Sequence, residues 1–251
     1  MTWAKRHVLR ECHSGPQPVM WDYKQLLVGK LRAAWDVRHG GEFAPGKWIS
    51  HRDIVSGIKL TAPSEAARPR AEADVLGYFR GQRVIRLSPT NHLKMVNENI
   101  PNLVPVGTRP EVFFIGRANT LVVTGGICGV ADANASSTSG AQFDSDGAAV
   151  DGYVGGLQTA AFSDTASAHL FTADLGEDNR RRVRIDNAIV ATSGATGAVN
   201  NPTTQAAVGG YATGFTTSAD WYIAAWGVIS PPMTDAERAQ FYAIAREDWG
   251  F

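Results

Sequence analysis

From Trp35 onward the sequence breaks into short β-favouring runs separated by clusters of Gly, Pro, Asn, Asp and Ser. That punctuation is the mark of an antiparallel sandwich or barrel, and it argues against alternating βαβ units. The runs "RVIRL", "EVFFIGR", "TLVVTGGICGV", "SAHLFTADL", "RRVRID", "AIVAT", "QAAVGGY" and "ADWYIAAWGVI" are the predicted strands. In "RRVRIDNAIVAT" alternation sends Val183 and Ile185 to one face and Arg182 and Arg184 to the other, and "DN" predicts a tight hairpin turn between the two strands. The middle, "GVADANASSTSGAQFDSDGAAVDGYVGG", is poor in large apolar groups, so surface loops with at most short strands are expected there.

The chain closes with a different pattern. In "SPPMTDAERAQFYAIAREDWGF", Thr234 and Glu237 have the spacing of a capping box, in which each side chain satisfies an otherwise orphaned backbone N–H. Phe241, Ile244, Ala245 and Trp249 recur at helical spacing, while Glu237, Arg238, Arg246 and Glu247 are expected on the wet side. One helix cannot bury such a stripe alone. It is expected to close an exposed edge or an open end of the β structure.

Residues 1–30 read as an arm preceding the strand pattern. From Met1 through Arg38 there are seven Lys or Arg against three acids, in a chain whose 24 basic and 24 acidic residues balance as a whole, so the remainder is acidic by four. Zero net charge removes the global electrostatic argument for nucleic acid, and no apolar run is long enough to span a bilayer. No nucleic-acid or membrane partner is therefore expected. The N-terminus has no continuous apolar core of the signal-peptide type, and Cys12 and Cys128 lack metal or disulfide-framework spacing.

Several elements together resemble the concanavalin A-like lectin/glucanase (laminin G-like) jelly-roll modules of bacteriophage and bacterial proteins. They are Trp35 and Asp36, then Trp48 and Asp53, then Ala67, Arg68 and Pro69, and finally Trp249 and Gly250. The resemblance runs from about Arg32 to Phe251. It implies an all-β fold, a two-sheet antiparallel jelly-roll sandwich at 31–251, with an N-terminal arm at 1–30 and a C-terminal helix.

Chemistry is mostly absent. The E-x-D-x-E strand of glucanases with this fold does not occur, the nearest acids being Glu72 and Asp74. No histidine pair, nucleophile motif or phosphate loop is present, so no catalytic residue and no cofactor are assigned. The one metal candidate is calcium, for which Asp144, Asp146 and Asp151 in "FDSDGAAVDG" could supply oxygen ligands. Ordinary Asp-Gly turn formation is the competing account of the same residues. Partner-binding candidates are Trp3, Lys5, Arg6, Arg10, Trp21 and Tyr23 in the arm, and a strand stripe of Arg180, Arg182 and Arg184.

The expectation is a non-enzymatic virion structural protein assembled in the host cytoplasm. Capsid decoration or cementing of a phage is the first role, with capsid or other virion proteins and further copies of the chain as partners. The alternative is a carbohydrate-binding tail or fibre module that attaches to host glycans. The arm favours decoration, because a free-standing glycan module gains little from thirty extra ordered residues.

Overall fold

A computed structural model describes residues 22–74, 77–89, 94–132, 140–195, 203–210 and 218–251. A short helix, α1 (Asp22–Leu26), precedes β1 (Leu31–Asp36), β2 (Gly41–Ala44), β3 (Lys47–Arg52), β4 (Lys59–Thr61), β5 (Arg70–Ala73), β6 (Arg83–Arg86) and β7 (Met95–Asn97). Next come β8 (Glu111–Ala118), β9 (Gly125–Ala131), β10 (Gly140–Ser145), β11 (Ala149–Val154) and β12 (Leu157–Ala161). The order ends with β13 (His169–Leu175), β14 (Arg180–Ile185), β15 (Ala188–Ala195), β16 (Gln205–Val208), β17 (Trp221–Ile229) and α2 (Asp235–Trp249).

The strands pair antiparallel throughout. One run is β1-β17-β8-β13-β14-β15, with β6 continuing along the edge of β17 where β1 stops. The other is β2-β3-β4-β7-β16-β9-β10-β11-β12. Strand β5 pairs with both β3 and β6, so the two runs form one continuous antiparallel system rather than two separate sheets. No described helix is long and apolar enough to cross a membrane.

A row of aromatic rings crosses the first run in register. Trp35 lies opposite Trp226, Trp226 opposite Phe114, and Phe114 opposite Phe171. The end pairs stack, Trp35 on Trp226 at 4.1 Å and Phe114 on Phe171 at 4.4 Å between centroids. From the second run Phe143 meets Phe114 edge-on at 4.9 Å, which brings the runs face to face. Each such ring removes about 150–250 Å² from water, and favourable ring pairs add about 0.5–1.5 kcal/mol beyond burial.

The region expected to hold surface loops with at most short strands contains β10 and β11, two six-residue strands that are buried rather than at the surface. Its small residues signal tight packing instead. A Cβ at Gly152 would lie 2.7 Å from the Ala173 Cβ and 2.8 Å from a Val183 methyl, so nothing larger than glycine fits between the runs. The predicted hairpin forms as expected: Asp186 and Asn187 both adopt positive φ, 51° and 68°, the geometry of a two-residue primed turn.

Helix α2 begins with the capping box of Thr234 and Glu237 and ends on left-handed Gly250, whose N–H donates to the Arg246 carbonyl. It covers neither an edge nor an open end. Phe113, which alternates with the core residue Phe114, packs edge-on to Phe241 at 4.9 Å, so the helix lies on the outer face of the first run. Arg238 is also not on the wet side. It is buried at 3% exposure, with its guanidinium forked onto Glu111 of β8 through two contacts of 3.1 Å. Position 238 is in phase with Phe241, Ala245 and Trp249, and the buried acid beneath it makes the charge tolerable.

The last part of the segment expected as an arm at 1–30 packs on the domain, and residues 1–21 lie outside the described residues. Tyr23 and Leu27 are buried, Tyr23 packs on Phe241 at 5.8 Å, and Lys30 pairs with Glu237 at 2.6 Å, so residues 23–30 belong to the domain.

Trp249, 1% exposed, sits between Phe79 at 6.4 Å and the Arg38 guanidinium at 4.3 Å. Trp249→Ala is expected to cost about 3–5 kcal/mol of stability in urea denaturation. An unchanged midpoint would refute the packing of α2 on the sheet as the source of that stability.

Candidate functional site

The residues proposed from sequence for partner binding divide into three groups. Trp3, Lys5, Arg6, Arg10 and Trp21 lie outside the described residues. Tyr23 and Arg184 are turned inward: Tyr23 donates to Asp36 at 3.4 Å, and Arg184 pairs with buried Asp174 of β13. Arg182 is held by Asp178 at 2.5 Å, which leaves Arg180 as the exposed member of the stripe. A continuous basic stripe is therefore not presented, because two of its three guanidiniums are occupied by carboxylates of the same chain. Arg181, on the opposite face, donates to the carbonyls of Val154, Gly155 and Leu157 and fastens the turn between β11 and β12.

Asp144 and Asp151 stand directly opposite each other on β10 and β11. Alternation with core residues Phe143 and Val150 puts both on the face turned away from the core. Asp146 lies in the intervening turn and accepts a hydrogen bond from the Thr124 hydroxyl at 3.0 Å. The three candidate calcium ligands are thus split between a strand pair and a turn, and no group of three His, Cys, Asp or Glu side chains is gathered for a metal among the described residues. Asp144 is nonetheless unusual. It is 1% exposed, and among the described residues neither carboxylate oxygen has a hydrogen-bond partner, whereas buried Asp36, Glu111 and Asp174 each face a guanidinium. Burial pushes its carboxyl well above the usual carboxylate range, and the charge of Asp151 adds to the effect.

A different place gathers exposed polar and aromatic groups. At the C-terminal end of α2 an open groove of about 560 Å³ is lined by Arg80, Tyr242, Ala243, Arg246, Glu247, Gly250 and Phe251. Three structural devices build it. Trp249 anchors the end of the helix in the core, Tyr242, one heptad before it, is half-buried at the rim of that contact, and Arg246 and Glu247 are exposed. Gly250 turns the chain at φ 81°, bringing the Phe251 ring to 6.3 Å from Tyr242. Arg80 is presented from a separate turn, where the Asp74 carboxylate accepts from the backbone N–H groups of Tyr78, Phe79 and Gly81. Its side chain crosses the helix terminus so closely that a Cβ on Gly250 would sit 2.8 Å from the Arg80 Cγ. Glycine at 250 therefore serves both the helix cap and the floor of the groove.

The sequence reading missed this groove. In the sequence Arg246 and Glu247 have the pattern of a solvated helix face, Gly250 is only an element of the resemblance, and Arg80 is about 170 residues away along the chain. The Trp249-Gly250 pair was the available signal.

No family model and no curated protein matches the chain. Solved structures do resemble it. The binding domain of botulinum neurotoxin serotype C1 superposes with a TM-score of 0.60 at 10% identity, over 88% of this chain and 53% of that one. The binding domain of Paraclostridial Mosquitocidal Protein 1 gives 0.58 at 8% identity, over 85% and 52%. The binding domain of botulinum neurotoxin DC, solved in complex with SialylT, gives 0.54 at 13% identity, over 88% and 52%. At these identities the likeness is one of fold, a β-rich lectin-type fold. The chain spans about half the length of these binding domains. Nothing in them points to a phage.

The orphaned carboxylate leads to a pH prediction. A folded-state value raised above about 3.9 means that the folded protein takes up this proton first, so acid stabilises the fold through Asp144 and alkali penalises it. Asp144→Asn is expected to be more stable than the parent at pH 7. Its advantage should shrink by up to about 1.4 kcal/mol per pH unit across the range between the raised value and about pH 4. A variant equally or less stable at pH 7, or a pH-independent difference, would refute an uncompensated Asp144.

Proposed function

We propose that the chain is a non-catalytic binding module of the lectin type, its continuous sheet folded over as a jelly roll, and that it binds glycan in the groove at the end of α2. The groove itself carries this reading. It is open, of a volume suited to one or two sugar rings, and walled by the end of α2 and by the turn that carries Arg80. Tyr242 and Phe251 offer ring surface to the apolar faces of a sugar, while Arg80, Arg246 and Glu247 offer donors and acceptors to its hydroxyls. The fold likeness to binding domains, one of them solved with SialylT, supports the same class of ligand. Capsid decoration draws less support: its basic stripe is neutralised by Asp178 and Asp174, and part of its arm is packed into the domain.

Catalysis is not proposed for the groove, since Glu247 is its one carboxylate side chain and glycoside hydrolysis ordinarily needs a pair. The test is a panel of immobilised oligosaccharides probed with the full chain. At least one glycan is expected to bind, with affinity falling about tenfold or more in Tyr242→Ala, and with no reducing ends released on prolonged incubation. Binding untouched by Tyr242→Ala would move the site elsewhere, and release of reducing ends would overturn the non-catalytic reading.

A further inference from the structure

We infer that His169 is a pH-sensitive latch: as an imidazolium it ties the 163–168 loop to the turn between β14 and β15, and as a neutral ring it releases that loop. This device is separate from the groove and does not involve its ligand. The ring's hydrogen-bond geometry carries it. His169 Nδ1 lies 2.7 Å from one Asp186 carboxylate oxygen, and Nε2 lies 3.0 Å from one of Asp164. An ionised carboxylate only accepts and a neutral imidazole has one N–H, so both contacts are hydrogen bonds only when the ring is protonated.

The two carboxylates are held very differently. Asp186 belongs to the tight turn after β14 and is fastened to β13 twice more: its other oxygen accepts from the Leu170 N–H at 3.0 Å, and its own N–H donates to the Leu170 carbonyl at 2.9 Å. Asp164 opens the loop between β12 and β13, where it accepts from the N–H groups of Ala166 and Ser167 at 2.6 and 3.1 Å. That loop reaches the sheet through Asp164 and through the Thr165 carbonyl, which accepts from Arg117 of β8 at 2.6 Å. Phe162 and Phe171 meet the imidazole edge-on at 5.4 and 5.9 Å. On β8, Gly116 lies opposite His169, and Arg117 turns its guanidinium to the Thr165 carbonyl and to the Tyr78 and Tyr222 rings.

Loss of the proton therefore has a direction. The Nδ1–H bond to the anchored Asp186 is kept, and the bare Nε2 turns a lone pair on the Asp164 carboxylate, the more exposed of the two acids. Asp164 keeps its bonds to Ala166 and Ser167, so its turn undocks as a unit. Partial burial opposes a charge on the ring, but Asp186 and Asp164 outweigh it and raise the His169 pKa above 6.5. With the folded value above the unfolded one, the contribution of the latch is complete below about pH 6.5 and is lost as pH rises through the raised value. The Phe162 end of the aromatic wall is thus covered more firmly in acid than in alkali.

The experiment follows the His169 ring nitrogens of the full chain by NMR across the neutral range, together with amide exchange at Ala166 and Ser167. The ring is expected to titrate above its ordinary value and to leave the Nδ1–H tautomer on the alkaline side. Above that midpoint the two amides should exchange about tenfold or more faster, after correction for the intrinsic rise with pH, which is the size of one charge-assisted hydrogen bond. Asp164→Asn keeps the acceptor for both N–H groups and removes the charge. In this variant the His169 midpoint should fall, and the corrected exchange should no longer change with pH. A parent midpoint at or below the ordinary value, a midpoint unmoved by Asp164→Asn, or parent exchange that follows the intrinsic pH dependence alone would each overturn the latch.

Discussion

The stacking of Trp35 on Trp226 is the contact on which the rest of the structure hangs. It joins β1, near the start of the described chain, to β17, near its end, and continues through Phe114 and Phe171 into the strands between. Because the ring row is in register across four strands, it fixes their alignment: a slip of one residue would send every ring to the outer face. The opposite run then has a flat aromatic wall to pack on: Phe143 of β10 and Phe162, just after β12, close over it edge-on, and Trp221 of β17 flanks it.

On the outer face the same strands serve α2. Asp36, the neighbour of Trp35, holds the Arg38 guanidinium at 2.7 Å, and Arg38 in turn holds Asp248 at 3.1 Å and lies over the Trp249 ring. The Trp-Asp at the start of the fold and the Trp-Gly at its end, two motifs far apart in sequence, are thus one physical unit bridged by an arginine. This explains why they occur together. The groove depends on that unit, since the position of Tyr242, Arg246 and Gly250 follows from how the end of α2 is pinned.

Local features were legible in the sequence. The "DN" turn and the capping box of Thr234 and Glu237 each depend on residues within a few positions, and each appears in the structure. The strands β10 and β11 were not legible, because their glycines and alanines look like loop residues until the facing Ala173 and Val183 are known. Arginine was the residue most often misplaced. Arg184 and Arg238 are buried against Asp174 and Glu111, and sequence alone does not show which acid lies beneath a given guanidinium.

The sequence by itself determined the class of structure, antiparallel β with a closing helix, because alternation, turn residues and caps act through short-range sterics and hydrogen bonds. Only the tertiary structure decided that the strands close into one continuous system, that α2 lies on a face and not an edge, and that Arg80 and Arg246 line one groove beside Gly250. Those outcomes depend on which distant side chains share a space. Burial and ion pairing are properties of that shared space, and they exist only once the chain has closed around it.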